Sequence, residues 1–111
     1  MIERIDIENL LDKLGVSIKF SGYKYIVEAV LLKNKIGDSP FRIMTLYEVI
    51  ARKHNSTYSR VERAIRYVYE SNKQKIDEYF KLNYKMSNGI LIEAIHREVL
   101  RLTNEDEIYT T

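Results

Sequence analysis

The stretch 45-TLYEVIARKHNSTYSRVERAIRYVYE-70 contains two helical patterns separated by a few turn-forming residues. In its second half, apolar residues recur at i, i+3, i+4 and i+7, which is the spacing of one buried stripe on an α-helix. This stripe consists of Val61, Ala64, Ile65 and Val68. The opposite side is polar and carries Ser59, Glu62, Arg63, Arg66 and Glu70, with Arg60 and Tyr67 at its edge. We therefore expect a helix that buries one side and offers a cationic side to a partner.

The first half of the stretch predicts a shorter helix that ends in a tight turn. Thr45 and Glu48 have the spacing of a capping box, which places the helix start at Thr45, and the pattern ends at about Lys53. The residues expected to face inward are Leu46, Val49 and Ile50. Residues 54–56 form the turn, and Thr57 is placed to cap the second helix, over 58–70. Two short helices joined in this way are typical of a helix-turn-helix.

The rest of the chain predicts an all-α fold of about six helices. There are one proline and four glycines, and strict apolar/polar alternation is absent. Gly15 is suited to end the first helix, and residues 34–41 are expected to form a loop. The other helices are expected over about residues 6–14, from 22 through 33, over a short segment at 75–82, and from 87 or 88 through 102.

Length and composition are those of one soluble globular domain spanning residues 1–111. The chain has 45% hydrophobic and 31% charged residues, a balance that differs from that of disordered chains. The absence of cysteine excludes disulfides and thiolate sites. No apolar run is long enough to cross a bilayer and the N-terminus lacks signal-peptide features, so we expect a cytoplasmic protein without a membrane partner. The acidic tail, from about residue 104 to 111, is expected to fray.

The charge distribution points to a polyanionic partner. Residues 52–67 contain five Arg or Lys residues and one Glu, a net charge of +4, whereas the remainder sums to −2. Arg60 and Arg63 have no carboxylate at i±3 or i±4, so pairing along the helix does not explain them. A membrane-surface helix would need an exposed apolar face, and this apolar stripe is needed for the core. The pattern favours double-stranded DNA as the partner.

Signals for an enzyme are weak. His54 lies in the predicted turn and His96 on the last helix, and neither has neighbours at metal-ligand spacing. Glycine-rich phosphate loops are absent as well, so we expect no catalytic residues, no metal and no cofactor. The nine tyrosines are interpreted as packing residues because several fall on or beside the inward stripes.

Several segments together resemble a known family. The segments 7-IENLLDKLGV-16, 22-GYKYIVEAV-30 and 46-LYEVIARKHNST-57, followed by 58-YSRVERAIR-66, resemble the C-terminal effector domain of the stage-zero sporulation response regulators, in the same order and at similar spacing. The likeness covers about residues 5–70. It implies a six-helix domain whose fourth helix lies in the major groove of promoter boxes of TGTCGAA type, which are often occupied as tandem pairs.

The resemblance also implies which residues touch DNA. The expected base contacts are Arg60, Glu62, Arg63 and Arg66. The chemistry agrees, since arginine can bind guanine O6 and N7 with two hydrogen bonds and glutamate can accept from cytosine N4. Arg66 could instead reach a phosphate. The expected phosphate contacts, near the turn, are Arg52, Lys53, Ser56, Thr57 and Ser59.

Two functions remain open at this point. One is a transcription regulator that binds its boxes, with a homodimer on tandem sites as the expected arrangement. The other is an interaction module that antagonises a full-length relative by competing for its boxes or by mixed dimerisation. The last helix has more apolar residues than one stripe needs, namely Ile90, Leu91 and Leu100, which hints at a protein partner. Because the chain begins with Met1 close to the domain edge, the phosphate-receiving domain that the resemblance implies is expected to be missing from it, and the chain is either an excised fragment or a stand-alone protein.

Overall fold

The computed structural model describes residues 2–36 and 43–110, with side chains for 2–36 and 45–104. These ranges contain six helices and no strand, which confirms the all-α prediction. The helices are α1 (Arg4–Lys13), α2 (Ser21–Ile36), α3 (Ile43–Lys53), α4 (Tyr58–Ser71), α5 (Lys73–Phe80) and α6 (Asn88–Thr110).

The core is built around α2, which packs against α1, α3, α4 and α6. Its central residues are fully buried because the helix is enclosed on several sides, so a single apolar stripe would not suffice. Ile26, Val27 and Val30 each have 0% exposure. Helix α4 contributes its apolar stripe to the same core, where Val61, Ile65 and Val68 are fully buried and Ala64 is partly buried. The recognition-helix candidate is therefore held by its apolar side.

The predicted end of α1 is confirmed, whereas its predicted start is two residues too late. Gly15 has φ 82°, a left-handed conformation that glycine adopts without a side-chain clash, and the predicted helix end is confirmed. The start lies earlier than predicted, at Arg4. Asp6 lies in the first turn, and its Oδ2 accepts a 2.8 Å hydrogen bond from the Glu3 amide. The aspartate acts here as the third residue of a capping box and not as the cap itself.

Two predicted boundaries around α3 were wrong. Helix α2 continues to Ile36, so residues 34–36 are helical, and the rest of the expected loop, 37–41, lies outside the described residues. Helix α3 begins at Ile43, which places Thr45 inside its first turn. The Thr-x-x-Glu spacing also occurs inside the first turn of a helix, so it does not fix the residue at which the helix begins. Val49 is 40% exposed because Tyr47 and Ala51 share the buried side of α3 with Leu46 and Ile50.

The apolar surplus of α6 is used largely within the chain. Leu91 has 0% exposure and Leu100 packs against the core at partial exposure, whereas Ile90 is 41% exposed. Most of the surplus therefore reflects a helix that contacts α1, α2 and α4 at once. Ser87 caps this helix as expected, accepting a 3.2 Å hydrogen bond from the Ile90 amide. Helix α6 continues to Thr110, past its predicted end at about residue 102, and fraying of the tail stays a prediction.

Candidate nucleic-acid interface

The turn between α3 and α4 is fixed by backbone hydrogen bonds. Asn55 has φ 52°, and the Ser56 amide donates to the Ala51 carbonyl at 2.8 Å, which closes the end of α3. Asparagine tolerates this left-handed conformation better than most residues. Thr57 then caps α4, as predicted, with its hydroxyl oxygen accepting from the Arg60 amide at 3.2 Å. The relative placement of α3 and α4 is thus set within four residues, 54–57.

The exposed side of α4 is centred on Ser59 and Arg63. At about 100° per residue, these two positions lie between Arg60 on one flank and Glu62 with Arg66 on the other. Ser59, Arg60, Arg63 and Arg66 are all exposed. Two clefts run along the flanks of the helix, so the predicted base-contacting residues are divided between two neighbouring surfaces.

The first cleft is lined by Arg60 and Arg63, two of the predicted base contacts. It has a volume of about 450 Å³ and is lined by Lys19, Phe20, Arg60, Arg63 and Tyr67, among others. Phe20 and Tyr67 meet edge to face with ring centroids 5.2 Å apart. Within the described part of the chain, neither Arg60 nor Arg63 forms an ion pair. Their donors are available to an outside acceptor.

The second cleft contains the other two predicted base contacts, and these are engaged with each other. Arg66 forms an i,i+4 ion pair with Glu62, whose carboxylate is only partly exposed. The Asn88 side chain at the start of α6 donates a 2.9 Å hydrogen bond to the Glu62 carbonyl. These two predicted base contacts are therefore already paired with each other within the protein.

The predicted phosphate contacts fall into two groups. Ser56, Thr57 and Ser59 lie at the start of α4, and Arg52 is exposed at the end of α3. Lys53 differs, because its ammonium group donates to the buried carboxylate of Glu28 at 2.8 Å. That contact gives Lys53 a role inside the protein.

Glu28 anchors the turn to the centre of the fold. Its side chain is 8% exposed, and its Oε2 lies 2.5 Å from Nε2 of His54, the first residue of the turn. The His54 ring packs edge to face on Tyr25 at 5.4 Å. Sequence reasoning missed this cluster. The available signal was a single carboxylate within the apolar segment 26-IVEAVLL-32.

The pKa of the Glu28 carboxyl lies below its usual value. Burial raises this pKa, but hydrogen bonds from Lys53 and His54, together with their charges, lower it by more. A carboxyl whose pKa is lowered in the folded state stabilises the fold above its unfolded pKa, and this contribution is lost as the pH falls through the folded value.

Replacing Glu28 by glutamine should therefore weaken the fold most at neutral pH. We expect a loss of about 1–3 kcal/mol at pH 7 because charge-assisted hydrogen bonds are removed. The variant should also lose less stability than the wild type between pH 5 and pH 3. Urea unfolding at several pH values measures both effects, with Glu70→Gln, an exposed position, as the matched control. An unchanged pH dependence in Glu28→Gln would contradict the role given to this cluster.

Two further findings concern other classes of site. Within the described ranges, no group of three or more His, Asp or Glu side chains is arranged to hold a metal ion. None of the helices in the same ranges is long and apolar enough to cross a membrane.

The fold and the site together define a small all-helical protein with a cationic helix displayed beside a tight turn. Residues 7–99 match the family described as "Sporulation initiation factor Spo0A C terminal". The match covers most of the chain, and the protein belongs to this family. Members are DNA-binding effector domains of a sporulation regulator. DNA binding in the regulation of sporulation transcription follows from this membership.

Proposed function

We propose that this protein binds double-stranded DNA sequence-specifically and thereby regulates transcription, with α3 and α4 as its helix-turn-helix and α4 in the major groove. One observation carries the proposal: Arg60 and Arg63 are exposed on α4 and form no ion pair within the described ranges, while the opposite side of α4 is locked into the core. Unpaired guanidinium groups on a rigid helix suit the donor and acceptor pattern of the major groove.

Within this proposal, Arg63 makes the central base contacts and Arg60 contacts a base beside them. Both guanidinium groups match guanine O6 and N7. Glu62 and Arg66 act on the other flank, where the carboxylate can accept from cytosine N4 while it remains beside its arginine. A TGTCGAA-type box offers both guanine and cytosine, so it provides a target for each side chain. Tandem boxes would let two molecules bind side by side.

Phosphate contacts hold the helix in register without reading sequence. We assign them to Arg52, Ser56, Thr57 and Ser59, which surround the start of α4. Lys53 is the weakest member of the predicted set because its ammonium group is engaged with Glu28.

Fluorescence anisotropy with a TGTCGAA-type duplex and a scrambled duplex tests the proposal. Tighter binding to the box at physiological salt supports it, whereas equal binding to both duplexes contradicts sequence-specific recognition. Binding to a full-length relative without any preference between duplexes would instead support an antagonist that acts by mixed dimerisation. Sedimentation on duplexes with one and two boxes shows whether two molecules occupy tandem sites.

Replacing Arg52 by glutamine should weaken binding to both duplexes by a similar factor. The plot of log K against log salt has a negative slope, and we expect its magnitude to decrease by about one, since one phosphate contact is lost. The control is Lys13→Gln, which removes a positive charge beside Tyr79, outside the proposed interface. If Arg52→Gln changed the preference between the duplexes instead of the salt dependence, the assignment to phosphate would be wrong.

A further inference from the structure

The second cleft has the features of an anion site. It lies between α4 and the start of α6 and has a volume of about 530 Å³. Its charged lining residues are Glu62, Arg66 and Lys85. Because Glu62 and Arg66 form an ion pair, the charge of Lys85 is left in excess, and Lys85 is exposed. The cleft therefore carries a net positive charge.

Tyr47 supplies a buried hydroxyl to this cleft. Its ring lies in the lining, edge to face with Tyr58, and the residue is 2% exposed. The hydroxyl oxygen is buried and makes no hydrogen bond of good geometry among the described residues. Burial raises the pKa of Tyr47 to about 12, while a weak hydrogen-bonding contact of the hydroxyl with the Asn88 side chain in the same cleft lowers it. The hydroxyl thus stays protonated and can donate to an acceptor in the cleft, where a buried unpaired donor is otherwise costly.

The start of α6 adds backbone donors. The first amides of a helix have no partner inside the helix, and the positive end of its dipole favours an anion. Ser87 satisfies the amides of Ile90 and Leu91 through its hydroxyl and its carbonyl. Gly89 lines the cleft, and a Cβ atom built on it would meet nothing closer than the Ser87 hydroxyl at 3.9 Å. A ligand can therefore approach the backbone there closely.

We propose that this cleft holds one phosphate of the DNA backbone, bound by Lys85, the Tyr47 hydroxyl and the first amides of α6. The proposal rests on the proposed function, because it requires α4 to lie in the major groove. A helix with its side chains is about as wide as that groove, so the flanks of α4 face the two phosphate strands. The second cleft lies on one of these flanks, and α6 then acts as a clamp that fixes the register of α4.

Neutralising single phosphates locates such a contact. Duplexes carrying one methylphosphonate at successive positions are titrated with the wild type and with Lys85→Gln. We expect one position at which the neutral linkage weakens the wild type about tenfold but weakens Lys85→Gln by less than twofold. The control variant Lys13→Gln should respond as the wild type does, because Lys13 lies beside Val99 and Leu102, far along α6 from Gly89.

Two further variants test the other donors. Gly89→Ala places a methyl group in the cleft and should weaken binding severalfold, while urea unfolding shows an equal or greater stability because alanine favours the helix. Tyr47→Phe should weaken binding without lowering stability, since it removes only a hydroxyl that makes no hydrogen bond of good geometry in the free protein. If the wild type prefers the box but no methylphosphonate position is coupled to Lys85, the phosphate site is refuted while the proposed function stands. If the wild type shows no preference between box and scrambled duplexes, the proposed function fails first.

Discussion

Replacing Arg63 by alanine is expected to remove most of the difference in affinity between a TGTCGAA-type duplex and a scrambled duplex. Arg63 lies near the centre of the exposed side of α4 and forms no ion pair within the described residues, so its whole guanidinium is available to a base. A good two-bond contact to guanine is worth about 1–3 kcal/mol of discrimination. The loss should appear as roughly a 5- to 150-fold weaker binding to the box, with a much smaller change on the scrambled duplex.

Arg63→Lys is the informative companion to this variant. Lysine keeps the charge but lacks the planar pair of donors, so attraction to phosphate is retained while base recognition is reduced. We expect Arg63→Lys to retain the salt dependence of the wild type and still to discriminate poorly. Both variants should unfold at the wild-type urea midpoint because the side chain is exposed. A full preference for the box in Arg63→Ala would mean that another element reads the bases.

The sequence predicted the elements of the fold better than their contacts. The apolar stripe of α4, its Thr57 cap and the Gly15 stop are local patterns, and each is confirmed. The starts of α1 and α3 were missed because capping residues such as Asp6 and Thr45 also occur inside a first turn. Helix periodicity is insensitive to such shifts of two residues, which change the end of a helix but not its stripe.

In the candidate site, too, features within one helix were predicted from the sequence and contacts between distant segments were not. The unpaired arginines could be found from i±3 and i±4 spacing because that arithmetic stays within one helix. The Glu28 cluster joins residues about 25 positions apart in the chain, and no periodicity reports such pairing. The second cleft depends likewise on α6 starting beside α4, which brings Lys85 near Arg66. Contacts between distant segments arise from packing, and packing was visible only in the structure.

Substituting Gly22 by alanine should have the largest effect on the fold. A Cβ atom at this position would lie 2.3 Å from the Ala64 carbonyl oxygen and 2.6 Å from Val68 Cγ2. The first of these is backbone, which cannot rotate away, so α2 and α4 would have to separate. We expect a loss of about 3 kcal/mol or more, since overpacking a rigid contact forces the backbone to shift. For a domain of this size, that corresponds to a fall in Tm of roughly 12 °C.

Gly89→Ala is the matched control for Gly22→Ala, because both replace a helical glycine and only Gly22 is enclosed. Thermal unfolding of the two variants should therefore differ in direction, with Gly22→Ala lowered and Gly89→Ala unchanged or raised. Since Gly22 faces the residues that hold α4 in place, any folded fraction of Gly22→Ala should also lose its preference for the box. Wild-type stability in Gly22→Ala would show that α2 and α4 do not approach so closely. The orientation of Arg60 and Arg63 would then have to be fixed by contacts other than the close packing of α2 on α4.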